Sequence, residues 1–165
     1  YCTPIGSITE GSCRATSPTG PRTSGRRCSS TRPTRSHTCW AKPIGYSNAV
    51  VADGGRLIFV AGQVGWDAQQ RFASEDIVRQ FDQALANILA ILAEAGGRPE
   101  HVARMTAYCC DKPAYMAARR ELGAVWKRRM GNHYPAMSMI FVVDLLDNPG
   151  KIELEATAVI PPGTK

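Results

Sequence analysis

Two glutamates near the end of the chain are the residues best placed for acid–base chemistry. Residues 152–160 read IELEATAVI, so apolar residues alternate with Glu153, Glu155, Thr157 and Val159. On a strand, alternate residues point to the same face, so the two carboxylates share one side of a predicted sheet. Glu153 can orient a water molecule as a general base, or it can simply face solvent, which the pattern alone favours.

The cysteines and histidines form no recognisable site. Four of the six cysteines lie in the first 41 residues without a C-x-x-C pair, so zinc-ligand spacing is absent there. Cys109 and Cys110 are adjacent and point to opposite faces of a strand, so we interpret them as packing residues that do not bridge. His101 and His133 have no nucleophile nearby in the sequence and are predicted to lie on the surface.

The last third of the chain is predicted to position Glu153. A β-type run over 137–145 is followed by Asp147-Asn148-Pro149-Gly150, a strong turn signal, and then by the glutamate strand. We interpret these two strands as a hairpin.

Two helices precede this segment. Apolar residues at spacings of three and four predict a helix over Glu75–Ala95, with Ser74 as its N-cap and glycines at its exit. A second helix is predicted from Pro113 to Gly131, with a basic face that we interpret as solvated.

Three further strands complete the predicted fold. Val50-Val51 and Leu57–Ala61 flank Asp53-Gly54-Gly55 and are predicted to form an antiparallel pair, and Val102–Cys110 is predicted to return from the first helix. The element order is then β-β-α-β-α-β-β. The expected fold class is α+β, a mixed sheet with two helices on one face.

Charge and composition divide the chain into a tail and a domain. Residues 1–42 contain seven of the 20 basic residues and one of the 14 acidic residues, so the rest of the chain carries 13 of each. We expect residues 1–41 to be a disordered or non-native Ser-, Thr- and Arg-rich tail, and residues 42–165 to form one domain. A neutral domain gives no reason to expect a nucleic-acid partner.

The chain also gives no indication of a membrane segment. No apolar run approaches the roughly 18 residues of a membrane span. Because the cysteines show no disulfide framework, a reduced, cytoplasmic protein is the default expectation.

A series of motifs carries a resemblance to a known family. In order along residues 43–161, the chain resembles the Rid or YjgF family of reactive-intermediate deaminases at Pro43–Val50, Phe59–Gln63, Asn87, Ala95–Gly97, Tyr134–Ala136 and Ile152–Ala158. The resemblance implies a chorismate-mutase-like fold and a homotrimer with three clefts at the subunit boundaries. It also implies hydrolysis of imines or enamines, such as 2-aminoacrylate, to a carbonyl compound and ammonia, with no metal and no cofactor.

The same resemblance suggests roles for individual residues. Glu153 matches the acid that holds the attacking water, and Tyr46 matches a tyrosine that lines the cleft, so these two are the candidate catalytic residues. Gly62 and Gln63 match a substrate-binding segment in which Ala61 replaces the usual serine.

Met137 is the main departure from the family pattern. It stands where an arginine holds the substrate carboxylate, and a thioether offers only apolar contact. Ser138 and Met139 follow it as further candidate substrate-binding residues, Met139 standing where a cysteine is common. Arg119 either replaces the missing guanidinium or is one of several basic residues on a wet helix face.

Two main functions therefore remain open. The first is a deaminase with altered substrate anchoring, and the alternative is a non-catalytic trimer that binds a small metabolite. A ribonuclease has weaker support because the domain is neutral.

Overall fold

The computed structural model describes residues 31–33 and 44–163. Most of the predicted tail, 1–30 and 34–41, lies outside the described residues. The elements in chain order are β1 (Thr31–Pro33), β2 (Val50–Ala52), β3 (Arg56–Val64), α1 (Ile77–Glu94), a 3₁₀ turn (Pro99–His101), β4 (Val102–Cys109), α2 (Lys112–Ala117), α3 (Arg119–Met130), β5 (Ala136–Phe141) and β6 (Ile152–Ile160).

The main sheet has four strands in the order β3-β6-β4-β5. β6 pairs antiparallel with both β3 and β4, whereas β4 and β5 are parallel. The predicted mixed α+β sheet is confirmed. α1 and α3 cover one face, where their apolar residues pack against Ile152, Leu154, Ala156 and Ala158 of β6.

The predicted hairpin between the last two strands is wrong. The turn itself exists, since the Gly150 amide donates to the Asp147 carbonyl at 2.7 Å. However, β4 lies between β5 and β6, so the two strands do not pair. The apolar side of β6 is buried along its length, and the central position gives it a hydrogen-bonded neighbour on each side.

The predicted opening hairpin is also wrong. β2 pairs antiparallel with β1, three residues of the predicted tail, while β3 pairs with β6. Gly55, at φ 136°, passes so close to β6 that a Cβ there would lie 2.5 Å from the Ile160 carbonyl oxygen. After the glycine turn, β3 therefore pairs with β6 and not with β2.

The helices begin and end close to the predicted residues. The N-cap of α1 is Asp76, whose carboxylate accepts from the Arg79 amide at 2.9 Å, rather than Ser74. The second predicted helix is two helices, α2 and α3, interrupted at Ala118. In the part of the chain that the structure describes, no helix has the length and apolar character needed to cross a bilayer.

A buried amide connects α1 to the start of β6. Gln80 is 1% exposed; its Nε2 donates to the carbonyls of Ser74 (3.0 Å) and Pro149 (2.9 Å), and its Oε1 accepts from the Lys151 amide at 2.7 Å. Gly65 makes room for it, because a Cβ there would lie 2.6 Å from the Gln80 Cα. The position of β6 is therefore fixed just before its first residue.

Replacing Gly65 by alanine should destabilise the protein. The new methyl group meets helix backbone, which cannot rotate away, so we expect a loss of about 1–3 kcal/mol in the free energy of unfolding. Gly123→Ala is the matched control, since its Cβ meets nothing within 4 Å, and it should gain roughly 0.4–1 kcal/mol. Urea denaturation of the two variants measures both values, and equal stabilities would contradict the close packing at Gly65.

Candidate functional site

Glu153 lies on the face of the sheet that the helices leave open. It stands opposite Val64 of β3 and Tyr108 of β4, and its neighbours Ile152 and Leu154 point into the core. The pairing of β3 with β6 is irregular between Val60 and Gln63, so Ala61 and Gly62 form a bulge beside the carboxylate.

The carboxylate of Glu153 packs directly on Gly62. A Cβ on Gly62 would lie only 1.7 Å from Glu153 Oε1, so the side chain occupies the space that any other residue would fill. The neighbouring Gln63 turns its amide back on the bulge, where Nε2 donates to the Gly62 carbonyl at 3.0 Å. The structure thus brings together three of the predicted site residues, Glu153, Gly62 and Gln63.

The surroundings of Glu153 favour its protonated form. Burial is the main cause that raises the pKa of this carboxyl above its usual value, and the negative charges of Asp147 and Glu155 add to the effect. A carboxylate with a raised pKa is a stronger base toward water than an ordinary surface glutamate.

Glu155 lies on the same face and has a different environment. The Tyr108 hydroxyl donates to Glu155 Oε1 at 3.3 Å. Thr106, opposite Glu155 on β4, is 2% exposed, and its hydroxyl has no hydrogen-bond partner among the described residues. Thr106 and Glu155, together with Phe59 and Arg104, line a concavity of about 440 Å³ on the open face.

A second cleft, of about 520 Å³, lies on the helix side of the sheet. Two hydrogen bonds of Ser47 hold its entrance in place. The hydroxyl donates to the Tyr134 carbonyl (2.6 Å), and the amide donates to the Pro135 carbonyl (3.0 Å). These bonds place Tyr46 beside the start of β5. The lining of the cleft includes Ile44, Tyr46, Phe81, Tyr115, Arg119, Leu122, Trp126, Tyr134, Met137 and Met139.

Aromatic rings form one wall of this helix-side cleft. The ring of Trp126 stacks between Phe81 and Tyr134, with centroid distances of 6.5 and 6.0 Å, and its Nε1 donates to the His133 carbonyl at 3.1 Å. The stacked rings and the satisfied indole N–H are the arrangement expected of a buried tryptophan. The sequence pattern of α3 marks Trp126 and Leu122 as core positions, and only the structure shows that they also line a cleft.

The predicted site residues therefore fall into two groups within one chain. Glu153, Gly62 and Gln63 belong to the bulge where β3 meets β6, and the Glu153 carboxylate lies on the open face of the sheet. Tyr46, Arg119, Met137 and Met139 line the helix-side cleft. Ser138 alternates with the two methionines, stands opposite Thr106, and is exposed on the open face. Since Glu153 and the cleft lie on opposite sides of the sheet, one chain alone cannot present both to a single small molecule.

The prediction for His101 is wrong. Its side chain is 3% exposed, and its Nδ1 accepts from the Arg98 amide at 3.0 Å, closing the 3₁₀ turn that leads into β4. Burial lowers the pKa of this imidazole. The position two residues after Pro99, at the end of a helical turn, is the only sequence signal for this role.

Cys109 and Cys110 are both free thiols. Cys109 is fully buried, and burial raises the pKa of its thiol, so it packs in the core as predicted. Among the residues that the structure describes, no group of three or more His, Cys, Asp or Glu side chains is arranged to hold a metal ion.

Comparison with known proteins agrees with this architecture. Residues 41–160 match the family model described as endoribonuclease L-PSP. The goat protein named 2-iminobutanoate/2-iminopropanoate deaminase is 33% identical over 120 residues, covering 72% of this chain and 82% of the relative. Protein DfrA of Myxococcus xanthus is 32% identical over 120 residues, covering 72% and 88%.

Solved structures show the same fold. The Rid-family protein YyfB of Yersinia pestis superposes with a TM-score of 0.70 at 33% identity, covering 79% of this chain and 99% of that one. The YjgF gene product of E. coli gives a TM-score of 0.57 at 26% identity, covering 70% and 88%. The chain belongs to the Rid/YjgF family, whose family model carries the description endoribonuclease L-PSP.

Proposed function

We propose that the protein is a hydrolytic deaminase of reactive imines and enamines that works as a homotrimer with a chorismate-mutase-like fold. The observation that carries this proposal is the Glu153 carboxylate, packed on Gly62 and partly withdrawn from water, with a raised pKa. A carboxylate in that state can accept a proton from an attacking water. The similarity to the goat deaminase supports the same reaction class.

Association of subunits would unite the two groups of site residues. In a ring of identical chains, one surface of each subunit meets a different surface of the next. The open face with Glu153 would then border the helix-side cleft of a neighbour. The exposed apolar side chains on that face, including Phe59 at 76% exposure, suit burial against another subunit.

The proposed reaction balances without a cofactor. Glu153 takes a proton from water as the water oxygen bonds to the carbon of the C=N group, and it passes that proton to the nitrogen to give a carbinolamine. The hydroxyl proton of the carbinolamine is then transferred through Glu153 to the nitrogen as the C–N bond breaks, so ammonia leaves, the carbonyl forms, and Glu153 is again ionised. The net reaction consumes one water. An enamine must first be protonated on carbon to give the imine.

The alternative is a trimer that binds a metabolite without turning it over. The observation that favours it is Met137, whose thioether cannot form the charge-assisted pair expected of the family arginine. A ribonuclease is not proposed, because residues 43–165 carry equal numbers of acidic and basic residues.

Removing the Glu153 carboxylate should abolish most of the activity. We expect Glu153→Gln to reduce kcat for an imine generated in situ by about 10²- to 10⁴-fold, the usual contribution of a positioned base. Glu155→Gln, on the same face, is the control and should retain most of the activity. Turnover by the wild type that Glu153→Gln leaves unchanged would refute the role of Glu153, and no turnover by the wild type would favour the binding trimer.

Stability distinguishes loss of chemistry from loss of folding. The pKa of Glu153 is higher in the folded than in the unfolded chain, so its contribution to stability is complete below the unfolded value and falls as pH rises through the folded one. Glu153→Gln should therefore not lower the free energy of unfolding at neutral pH.

The pH profile should show the raised pKa directly. Since the base acts ionised, kcat/KM should fall on the acid side with an apparent pKa above the usual value of 4.5. Asp147→Asn removes one cause of the shift and should move this limb to lower pH. Asp144→Asn makes the same charge change in the same loop and should leave the limb in place; equal shifts would contradict the specific effect of Asp147.

Mixing two inactive variants tests the shared site. Gly123 lies on the lining of the helix-side cleft, so Gly123→Trp should fill it. Glu153→Gln removes the base. If the two halves come from neighbouring chains, random reassembly of a 1:1 mixture should restore about a quarter of the sites. No recovery in mixed trimers, with the trimers verified by native mass spectrometry, would show that the halves do not combine across the interface.

A further inference from the structure

We infer that Arg119 is the anion-binding residue of the helix-side cleft, so that the cleft takes imino acids with a large apolar or aromatic side chain. This inference rests on the proposed function for the reaction, but its binding step can be tested separately. It assigns to α3 a contact that the resemblance places on β5.

The lining of the cleft sets the first part of this specificity. Its volume of about 520 Å³ is within the range of small-molecule sites. Met137 and Met139 occupy its strand side, and the Phe81–Trp126–Tyr134 stack forms the wall. Flat rings and adaptable thioethers favour an aromatic or bulky aliphatic group, whereas a methyl group would leave most of the space unfilled.

Arg119 supplies the second part of the specificity, a positive charge for the substrate carboxylate. It stands at the first residue of α3, on the lining of the same cleft as the two methionines. Among the described residues, no side chain or backbone group pairs with its guanidinium, and the described lining contains no carboxylate to neutralise it. A positive charge beside an apolar cleft is an anchor for a substrate carboxylate.

The other basic residues near the end of α3 are already engaged. Arg128 and Arg129 both pair with Asp82, at 3.1 and 2.6 Å, and Lys127 contacts the Asn132 side chain. Arg120, the next residue after Arg119, is not on the cleft lining and is exposed. Arg119 is exposed as well, so it differs from Arg120 in its place on the cleft lining and not in its charge or exposure.

The substrate class follows from these two parts together. Met137 cannot hold a carboxylate on the strand side, so the carboxylate end of a substrate would turn toward α3, and its side chain would lie against the methionines and the aromatic wall. A 2-imino acid of the kind released when a large apolar amino acid is oxidised has both features. A 2-imino acid with a methyl side chain has only the carboxylate.

Three substrates made in situ would test this preference. The imino acids of phenylalanine and alanine are generated by an amino-acid oxidase with catalase present, and an aromatic imine without a carboxylate is generated from benzylamine by an amine oxidase. We expect the phenylalanine-derived imine to be hydrolysed with the higher kcat/KM of the two imino acids. Preference for the alanine-derived imine would overturn the inferred substrate class.

Charge removal at Arg119 tests the anchor. Arg119→Met should lower kcat/KM for the phenylalanine-derived imine by about tenfold to a hundredfold, the usual effect of losing one charge-assisted hydrogen bond. The benzylamine-derived imine should be unaffected, and Arg120→Met should change neither. Equal losses for both substrates, or no loss for either, would overturn the assignment.

A binding measurement separates this inference from the proposed reaction. By calorimetry, phenylpyruvate should bind the wild type more tightly than the uncharged phenylacetone, and Arg119→Met should abolish the difference. If binding depends on Arg119 but no imine is turned over, the anchor stands and the deaminase proposal fails. If imines are turned over but neither affinity nor rate depends on Arg119, the deaminase stands and the anchor is wrong.

Discussion

The buried amide of Gln80 is the interaction on which the candidate site depends. It satisfies the Pro149 carbonyl and the Lys151 amide just before β6, together with the Ser74 carbonyl, and it does so from the first turn of α1. A shift of β6 by one residue would break these bonds and would turn Glu153 into the core. Burying an unsatisfied amide or a carboxylate is costly, so the register is strongly determined. The placement of the acid is thus decided by a residue that takes no part in the chemistry.

The alternation along β6 also separates the two groups of candidate site residues. The same periodicity that buries Ile152 and Leu154 sends Glu153 to the opposite face, away from the cleft that Tyr46 and Met137 line. The helices cover only one face of the four-stranded sheet, so the face that carries Glu153 is left uncovered in a single chain. In the proposed trimer, one contact between subunits would both cover that face and complete the site. Stability, assembly and catalysis would then depend on the same surface.

The sequence predicted what is local and missed what joins distant segments. α1 and β6 were found because their periodicities are strong, and the turns at 53–55 and 147–150 were located because glycine, asparagine and proline have specific backbone preferences. The partners of the strands were wrong in both places, since a turn does not say which strand inserts beside it. The resemblance supplied Glu153 and Gly62, and their contact is in the structure. Charge pattern alone favoured a solvated Arg119, and a helical pattern does not show which basic residue lies on the lining of a cleft.

The contact between Gly62 and Glu153 has a consequence for how such chains can diverge. The carboxylate fills the volume of a missing side chain, so any larger residue at position 62 must push it aside. The two positions are therefore coupled: a chain that keeps the carboxylate in this place must keep the glycine. If the proposed function holds, a relative with a bulky residue at this point of β3 should keep the fold and hold its acid elsewhere.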